Sequence, residues 1–234
     1  MPAYLTHPQR IAIAGVEDLL IDALQDRNQF DDPRGHAARL GISSATWPLF
    51  GWPWPTGLRL ASRLAERPLR AGERILEIGC GLALPSLVGH RRGADVTASD
   101  CHPLASTFLR HNLRLNGLAP MDYRHGHWNL PLRALPRAGG HAGSVVRGRY
   151  DLVIGSDLLY ERDTEGGLAS FIAEHATRDA EVWIADPDRG NRPEFNRHMA
   201  GHGFALREER LDLDRTALAP AYKGRLLIYQ RSAT

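Results

Sequence analysis

Apolar positions along the chain follow two different spacings, and the change between them separates two regions. Residues 8–25 carry apolar side chains at roughly helical spacing, which predicts a helix near the N-terminus. Residues 41–57 contain three tryptophans and three prolines, so we expect an extended or irregular loop there. Helical spacing returns after Gly57. We therefore predict a helical N-terminal extension with an aromatic loop over residues 1–56, and a single domain over residues 57–234.

Short apolar runs and helical stretches alternate through the second region. We predict strands at 75–78, 95–99, 122–125, 150–154 and 181–185 and helices at 83–92, 103–116, 167–176 and 193–201. Two final runs, 205–213 and 225–230, predict strands that form an antiparallel edge. Residues 131–148, rich in arginine, glycine and proline, are expected to form a loop. Strand–helix alternation indicates an α/β fold, a doubly wound parallel sheet covered by helices on both faces.

Composition is that of a soluble globular protein, with 43% hydrophobic and 24% charged residues. A net charge of +2 lacks the electrostatic footprint of a nucleic-acid-binding protein. Two cysteines, Cys80 and Cys101, are too few for a disulfide framework, and neither they nor the histidines have the spacing of a metal site. The sequence has no signal peptide and no apolar run of about 18 residues. We expect a cytoplasmic monomer without a metal or a membrane partner.

A glycine turn follows the first predicted strand of the alternating region. That strand carries Glu77 and leads into Gly79-Cys80-Gly81, where missing side chains let a ligand come close to the backbone. The next strand ends at Asp100, nineteen residues after Gly81, where a carboxylate can accept hydrogen bonds from both ribose hydroxyls. Leu84 stands where a dinucleotide fingerprint has its third glycine. The sequence therefore predicts an adenosine cofactor without a pyrophosphate, S-adenosylmethionine.

Candidate acceptor residues follow two later strands. Asp157 and Tyr160 lie three residues apart after the strand at 150–154, so on a helical turn they face the same way. A carboxylate beside a phenol suits an amine nucleophile, with Asp157 accepting its hydrogen bonds and Tyr160 shaping the channel. The alternative is that Asp157 only caps a helix. Trp128 could stack on adenine or belong to the core. The segment 186–190 is a polar turn at the same edge of the sheet, where it could line the substrate entrance or be only a turn.

Four segments resemble, in order and spacing, the seven-β-strand class I methyltransferases. They are residues 54–58, 76–81, 99–117 and 155–160. Within that class the match is to the protein-lysine methyltransferases marked by an Asp-x-x-Tyr motif, and it extends over residues 45–230. The resemblance implies a Rossmann-like seven-stranded sheet and contacts to S-adenosylmethionine from Trp54, Glu77, Gly79, Cys80, Gly81, Asp100, Trp128 and Ser156. It also implies that Asp157 and Tyr160 lie where the target amine meets the methyl group.

The resemblance implies S-adenosylmethionine-dependent N-methylation of a lysine side chain in a protein. Within the family, segment 186–189 is most like the branch that methylates a subunit of electron-transfer flavoprotein. One alternative is a small-molecule N-methyltransferase for a nicotinamide-like amine, which a pocket closed by residues 1–50 would favour. Another is a non-catalytic module that keeps the fold and binds a partner through its tryptophan-rich surface.

Overall fold

The computed structural model describes residues 4–128, 145–213 and 221–231 of the 234-residue chain. Its strands are β1 Thr6–Ile11, β2 Leu19–Leu24, β3 Arg74–Ile78, β4 Asp95–Asp100, β5 Asp122–His125, β6 Tyr150–Ser156, β7 Ala176–Asp186, β8 Phe204–Arg210 and β9 Arg225–Arg231. Its α-helices are α1 His36–Arg39, α2 Pro55–Glu66, α3 Leu84–Arg91, α4 Ala105–Leu115, α5 Gly167–His175 and α6 Arg192–Gly201. Two short 3₁₀ helices cover Trp47–Gly51 and Leu158–Tyr160. Most of the loop predicted at 131–148 lies outside the described residues.

Seven strands form one sheet in the order β5-β4-β3-β6-β7-β9-β8. The first five of these strands are parallel, whereas β9 runs antiparallel to both β7 and β8. The predicted α/β fold and its antiparallel C-terminal edge are therefore confirmed. Chain order reverses at β3, which has β4 on one side and β6 on the other. Ligands in open α/β sheets bind at the carboxyl ends of the strands at such a reversal.

Helix α2 shows how the sheet is covered. Its buried face carries Leu60 and Leu64, which pack against Ile75 of β3 and Trp183 of β7. The helix begins at Pro55, and proline suits the first turn because its fixed φ is already helical and its missing N–H would be unpaired there. The loop predicted over 41–57 is therefore correct only in part, since it contains a 3₁₀ helix and the first turn of α2.

The helix predicted over residues 8–25 is wrong, because β1 and β2 form an antiparallel hairpin there. Leu19, Ile21 and Ala23 alternate along β2 and are fully buried, as expected for a strand with one face on the core. Gly15 has a φ of +84° in the connection between the strands. The apolar residues of the two short strands and their turn happen to have the sequence spacing of an amphipathic helix, which explains the wrong prediction. Among the described residues, no helix is long and apolar enough to cross a membrane.

Two asparagines, Asn112 in α4 and Asn116 directly after it, fasten this hairpin to the sheet domain. Asn112 Oδ1 accepts a hydrogen bond from the amide of Asp22 at 2.9 Å, and its Nδ2 donates to the carbonyl of the same residue at 3.4 Å. Asn116 makes the equivalent pair with Leu20 at 2.9 and 2.8 Å. The two side chains lie one helical turn apart and bind alternate residues of β2. The edge of β2 that faces away from β1 is thereby paired, which protects it from other strands.

Candidate active site

A cavity of about 480 Å³ lies at the carboxyl ends of β3, β4 and β6. Strand register explains why these ends meet: Ile78 of β3 pairs with Ser99 of β4, and Glu77 pairs with Ile154 of β6. The N-terminal segment supplies the opposite wall through Leu40, Gly41, Ile42, Thr46, Leu49, Phe50, Trp52 and Trp54. All eight predicted cofactor residues and both predicted acceptor residues line this one cavity.

The glycine turn after β3 needs both of its glycines. Gly79 and Gly81 have φ values of +57° and +52°, in the left-handed region that other residues rarely adopt. A Cβ on Gly81 would lie 2.8 Å from the carbonyl oxygen of Phe50, and one on Gly79 would lie 2.5 Å from Leu158. Cys80 between them is buried, and burial raises the pKa of its thiol well above the ordinary value. The turn is therefore closely packed between the N-terminal wall and the 3₁₀ helix after β6.

Asp100 ties the glycine turn to the end of β4. Its Oδ2 accepts a hydrogen bond from the amide of Gly81 at 2.8 Å, and its Oδ1 accepts one from the amide of His102 at 2.7 Å. Burial raises the pKa of Asp100, and these backbone amides oppose the rise. A carboxylate has about four acceptor positions. Asp100 also accepts hydrogen bonds from the amide and the thiol of Cys101, so its contact with a ribose at the cavity remains a prediction.

Glu77 lies deeper, at the base of the cavity. Its Oε2 accepts hydrogen bonds from the Ser86 amide at 2.8 Å and from the Ser86 hydroxyl. Burial raises the pKa of Glu77 to about 8. Because Ser86 lies in the first turn of α3, Glu77 joins β3 to that helix, and a direct cofactor contact remains a prediction.

The two candidate aromatic residues stand on different walls. The Trp54 indole N–H donates to the carbonyl of Leu49 at 2.9 Å, and the guanidinium of Arg27 lies 4.3 Å from the Trp52 ring and 5.4 Å from the Trp54 ring. Trp128 packs edge-on against Phe171 with ring centroids 6.2 Å apart. Trp128 is thus both a core neighbour and a cavity residue, so its two predicted roles are compatible.

Asp157 follows β6, and its side chain is in contact with that of Arg189. It has a φ of +58°, and its side chain makes no capping hydrogen bond to the 3₁₀ helix that follows. Its Oδ1 instead accepts a hydrogen bond from Arg189 Nη1 at 2.8 Å. Its Oδ2 is buried and has no hydrogen-bond partner among the described residues. Burial raises the pKa of Asp157, while the Arg189 charge and the Thr56 hydroxyl oppose that rise.

Tyr160 marks the rim of the cavity. It ends the 3₁₀ helix that begins next to Asp157, and 47% of its surface is exposed. Partial burial raises the pKa of its phenol, so the hydroxyl is neutral at physiological pH. A neutral phenol at an open rim suits the channel role predicted for it.

Arg189 was located by the sequence only as part of a polar turn. Its amide donates to Asp186 Oδ1 at 2.7 Å, which ties the turn to the buried end of β7. The ion pair with Asp157 spans 32 residues of chain and has no local signal.

Three further residues near the site were also missed. Tyr222 donates a hydrogen bond from its hydroxyl to Thr56 Oγ1 at 3.0 Å, and Thr56 is buried at the start of α2. His102 stacks on Phe50 with centroids 3.7 Å apart, and burial lowers its pKa to about 3. The sequence gives no signal for Tyr222, which is 166 residues from Thr56. His102 directly follows Cys101 after the end of β4, and this position at the carboxyl edge of the sheet is the sequence signal that could have identified it.

The fold matches solved methyltransferase structures. Superposition on the ribosomal protein L11 methylase of Lactobacillus delbrueckii subsp. bulgaricus gives a TM-score of 0.54 at 18% identity, covering 77% of this chain and 81% of that one. The magnesium protoporphyrin IX methyltransferase of Synechocystis PCC 6803, solved with bound S-adenosylmethionine, gives 0.55 at 19% identity, covering 76% and 78%. The chain therefore has the Rossmann-like fold of the class I methyltransferases.

Sequence comparison finds relatives among the protein methyltransferases, although no protein-family model matches the chain. The chain is 28% identical over 162 residues to the electron transfer flavoprotein beta subunit lysine methyltransferase of Danio rerio, covering 68% of this chain and 56% of that protein. It is 25% identical over 181 residues to the protein N-lysine methyltransferase METTL21A of Danio rerio, covering 76% and 75%. It is 29% identical over 138 residues to the histone-arginine methyltransferase METTL23 of Homo sapiens, covering 56% and 66%.

These relatives are protein lysine and protein arginine methyltransferases, in agreement with the family that the four sequence segments resemble. The match to the first of them extends over about half of that relative's length.

Proposed function

We propose that this protein is an S-adenosylmethionine-dependent N-methyltransferase that acts on a lysine side chain of a protein. The observation that carries the proposal is the position of Asp157, whose buried Oδ2 has no partner in the described chain and lines the same cavity as Asp100 and the glycine turn. The lysine methyltransferases among the sequence relatives support the choice of acceptor.

The cavity residues fit the proposed cofactor. Asp100 lines the cavity with a carboxylate suited to ribose hydroxyls, and Trp128 offers a flat apolar surface for adenine. The volume of about 480 Å³ lies within the usual range for small-molecule sites. Trp54, Cys80 and Ser156 complete the proposed contact surface. When bound, S-adenosylmethionine supplies a methyl group on a positively charged sulfur, which is already activated for transfer.

The protein's own contribution is to position the acceptor and to favour its neutral form. Holding reactants in a productive geometry can lower a barrier by about 7–11 kcal/mol in favourable cases. A lysine amine has a pKa of about 10.4 and must lose a proton before it can attack. Asp157 Oδ2 accepts a hydrogen bond from the amine and stabilises the positive charge that develops on nitrogen. Tyr160 borders the channel through which the side chain enters.

A small amine is the second candidate acceptor. Residues 40–54 of the N-terminal segment form a wall of the cavity, which is the feature that favours a small substrate. The exposed Tyr160 at the rim favours a side chain that enters from a protein surface.

The deciding experiment incubates the purified protein with radiolabelled S-adenosylmethionine and an extract of its source organism, and then separates the products by size. We expect label in a discrete protein band and methyllysine in that band by mass spectrometry. The chain has one lysine of its own, Lys223, so a Lys223→Arg enzyme separates self-labelling from transfer to a substrate. Label in small molecules alone would select the second candidate. Absence of label from both fractions, with cofactor binding measured, contradicts the proposed activity.

Asp157→Asn tests the assigned residue. It should reduce transfer by about two orders of magnitude, with cofactor affinity by isothermal titration calorimetry nearly unchanged. Asp151→Asn is the matched control, because Asp151 lies on the same strand but binds the Arg74 amide far from the cavity. An equal loss of transfer and cofactor affinity in Asp157→Asn would remove Asp157 from the acceptor site.

A further inference from the structure

We propose that Arg189 is a positioning residue that keeps the acceptor amine unprotonated by compensating the charge of Asp157. The inference rests on the proposed function and concerns the same site. Arg189 Nη1 lies 2.8 Å from Asp157 Oδ1, and both side chains line the cavity. The pair uses one carboxylate oxygen, and the buried Oδ2 makes no hydrogen bond in the described chain. The acceptor therefore meets an ion pair rather than an isolated carboxylate.

The turn that carries Arg189 is fixed from two sides. Asp186 is fully buried at the end of β7. Its Oδ1 accepts a hydrogen bond from the Arg189 amide and lies 3.6 Å from Arg192 Nε. Asp188 has a φ of +62° and pairs with Arg192, Arg210 and Arg225. These contacts fix the backbone from which the Arg189 side chain, 30% exposed, reaches Asp157.

Charge compensation matters because the nucleophile and the ammonium ion interact differently with a carboxylate. An opposite charge within about 4–6 Å shifts a pKa by one to three units toward the charged form. A buried Asp157 without a cation would therefore hold a lysine ammonium firmly, and the ammonium has no lone pair with which to attack. Pairing Asp157 with Arg189 removes most of that attraction, and a neighbouring cation further disfavours a second one. Oδ2 then acts as a hydrogen-bond acceptor for a neutral amine.

Other charged and titratable groups face this end of the cavity. They are Asp186 from β7, the run Tyr160, Glu161, Arg162 and Asp163 at the end of the 3₁₀ helix, Tyr222 with Arg59 of α2 beside it, and Asp100 and Cys101 at the end of β4. Burial raises the pKa of Tyr222 to about 12 and raises that of Tyr160 and Cys101, so these three groups are neutral at physiological pH. Asp186 has Arg192 beside it, and Asp100 is bound by backbone amides at the cofactor end. In the described chain, Arg189 is the cation that contacts Asp157.

The test is the pH dependence of kcat between pH 6 and 10 with the acceptor protein purified from the labelled band. Arg189→Met and Arg189→Gln remove the charge, and each should move the acidic limb of the profile to higher pH by about one unit or more. Arg189→Lys keeps the charge and should leave the limb in place. Arg63→Met is the matched control, because Arg63 forms a comparable half-buried ion pair with Glu209 on the far side of α2.

Binding of n-butylammonium in the presence of S-adenosylhomocysteine gives a readout without turnover. At pH 7, both charge-removing variants should bind it about tenfold more tightly than the parent, since one pH unit corresponds to a tenfold change. Unchanged profiles and affinities in both variants, or the same changes in Arg63→Met, overturn the inference. Activity that fails to return at high pH in folded variants also contradicts it. Failure of the proposed function itself is recognised separately, as absence of a labelled acceptor for the parent enzyme.

Discussion

Three acidic side chains at the cavity have three different environments, and these set their roles. Glu77 is sealed from water and bound to Ser86. Asp100 accepts hydrogen bonds from the amides of Gly81 and His102, which oppose the rise in its pKa that burial causes. Asp157 has a guanidinium on one oxygen, while its other oxygen is buried without a hydrogen bond in the described chain, although the Thr56 hydroxyl influences the carboxylate. Residue type alone does not distinguish the three, whereas the partners of each oxygen do.

Glu77 should make the protein less stable as the pH rises. Its pKa rises from 4.5 to about 8 in the folded state, so between these values the unfolded chain has lost a proton that the folded protein keeps. The free energy of unfolding therefore falls with rising pH in this window, by up to about 1.4 kcal/mol per unit. Glu77→Gln removes this contribution and keeps an acceptor for Ser86. Urea denaturation at pH 5, 6.5 and 8 should show a smaller decline in the free energy of unfolding for the variant than for the parent. An equal decline would contradict the raised pKa of Glu77.

At the scale of elements, the N-terminal hairpin is the least predictable part of the fold and is held by specific contacts. Its buried side chains share one hydrophobic cluster with α3 and α4, including Ile21, Leu87 and Phe108. Its outer edge is paired by Asn112 and Asn116 rather than by another strand. The hairpin therefore packs as a part of the domain core.

Removing either asparagine should loosen that attachment. Asn112→Ala leaves the amide and carbonyl of Asp22 without partners in a partly buried setting, which costs about 1–3 kcal/mol of unfolding free energy. Asn116→Ala should do the same at Leu20. Arg114→Ala, at an exposed position of the same helix, is the control. Chemical denaturation gives the energies, and hydrogen exchange should show faster exchange confined first to β2. A loss no larger than that of the control would contradict the role of the asparagines.

At the scale of the whole molecule, the cavity joins parts of the chain that are distant in sequence. The sheet supplies the polar groups at its carboxyl edge, and the N-terminal segment supplies a wall of apolar and aromatic residues. A ligand between the two should therefore stabilise both, including a segment that precedes the sheet.

Cofactor binding should raise the melting temperature and protect residues 40–54 from hydrogen exchange. At about one hundred times Kd, binding contributes about 2.7 kcal/mol, which corresponds to a rise in Tm of about 5–10 °C for a chain of this size. Asp100→Asn should lose most of this rise. Asp95→Asn, at the opposite and exposed end of β4, should keep it. A normal rise in Tm without protection of 40–54 would mean that the N-terminal wall takes no part in binding.

Amino-acid sequence alone determined the alternation of strands and helices, the antiparallel edge, the glycine turn, and the positions of Asp100 and Asp157. These features depend on local properties: hydrophobic spacing within one element and residue types at strand ends. Tertiary structure decided the hairpin at residues 6–24, because two short strands and a turn produce the same apolar spacing as a helix. It also decided the partner of Asp157 and the contact between Tyr222 and Thr56. Such partners come from distant loops, and no local pattern encodes which charges and hydroxyls the folded chain brings together.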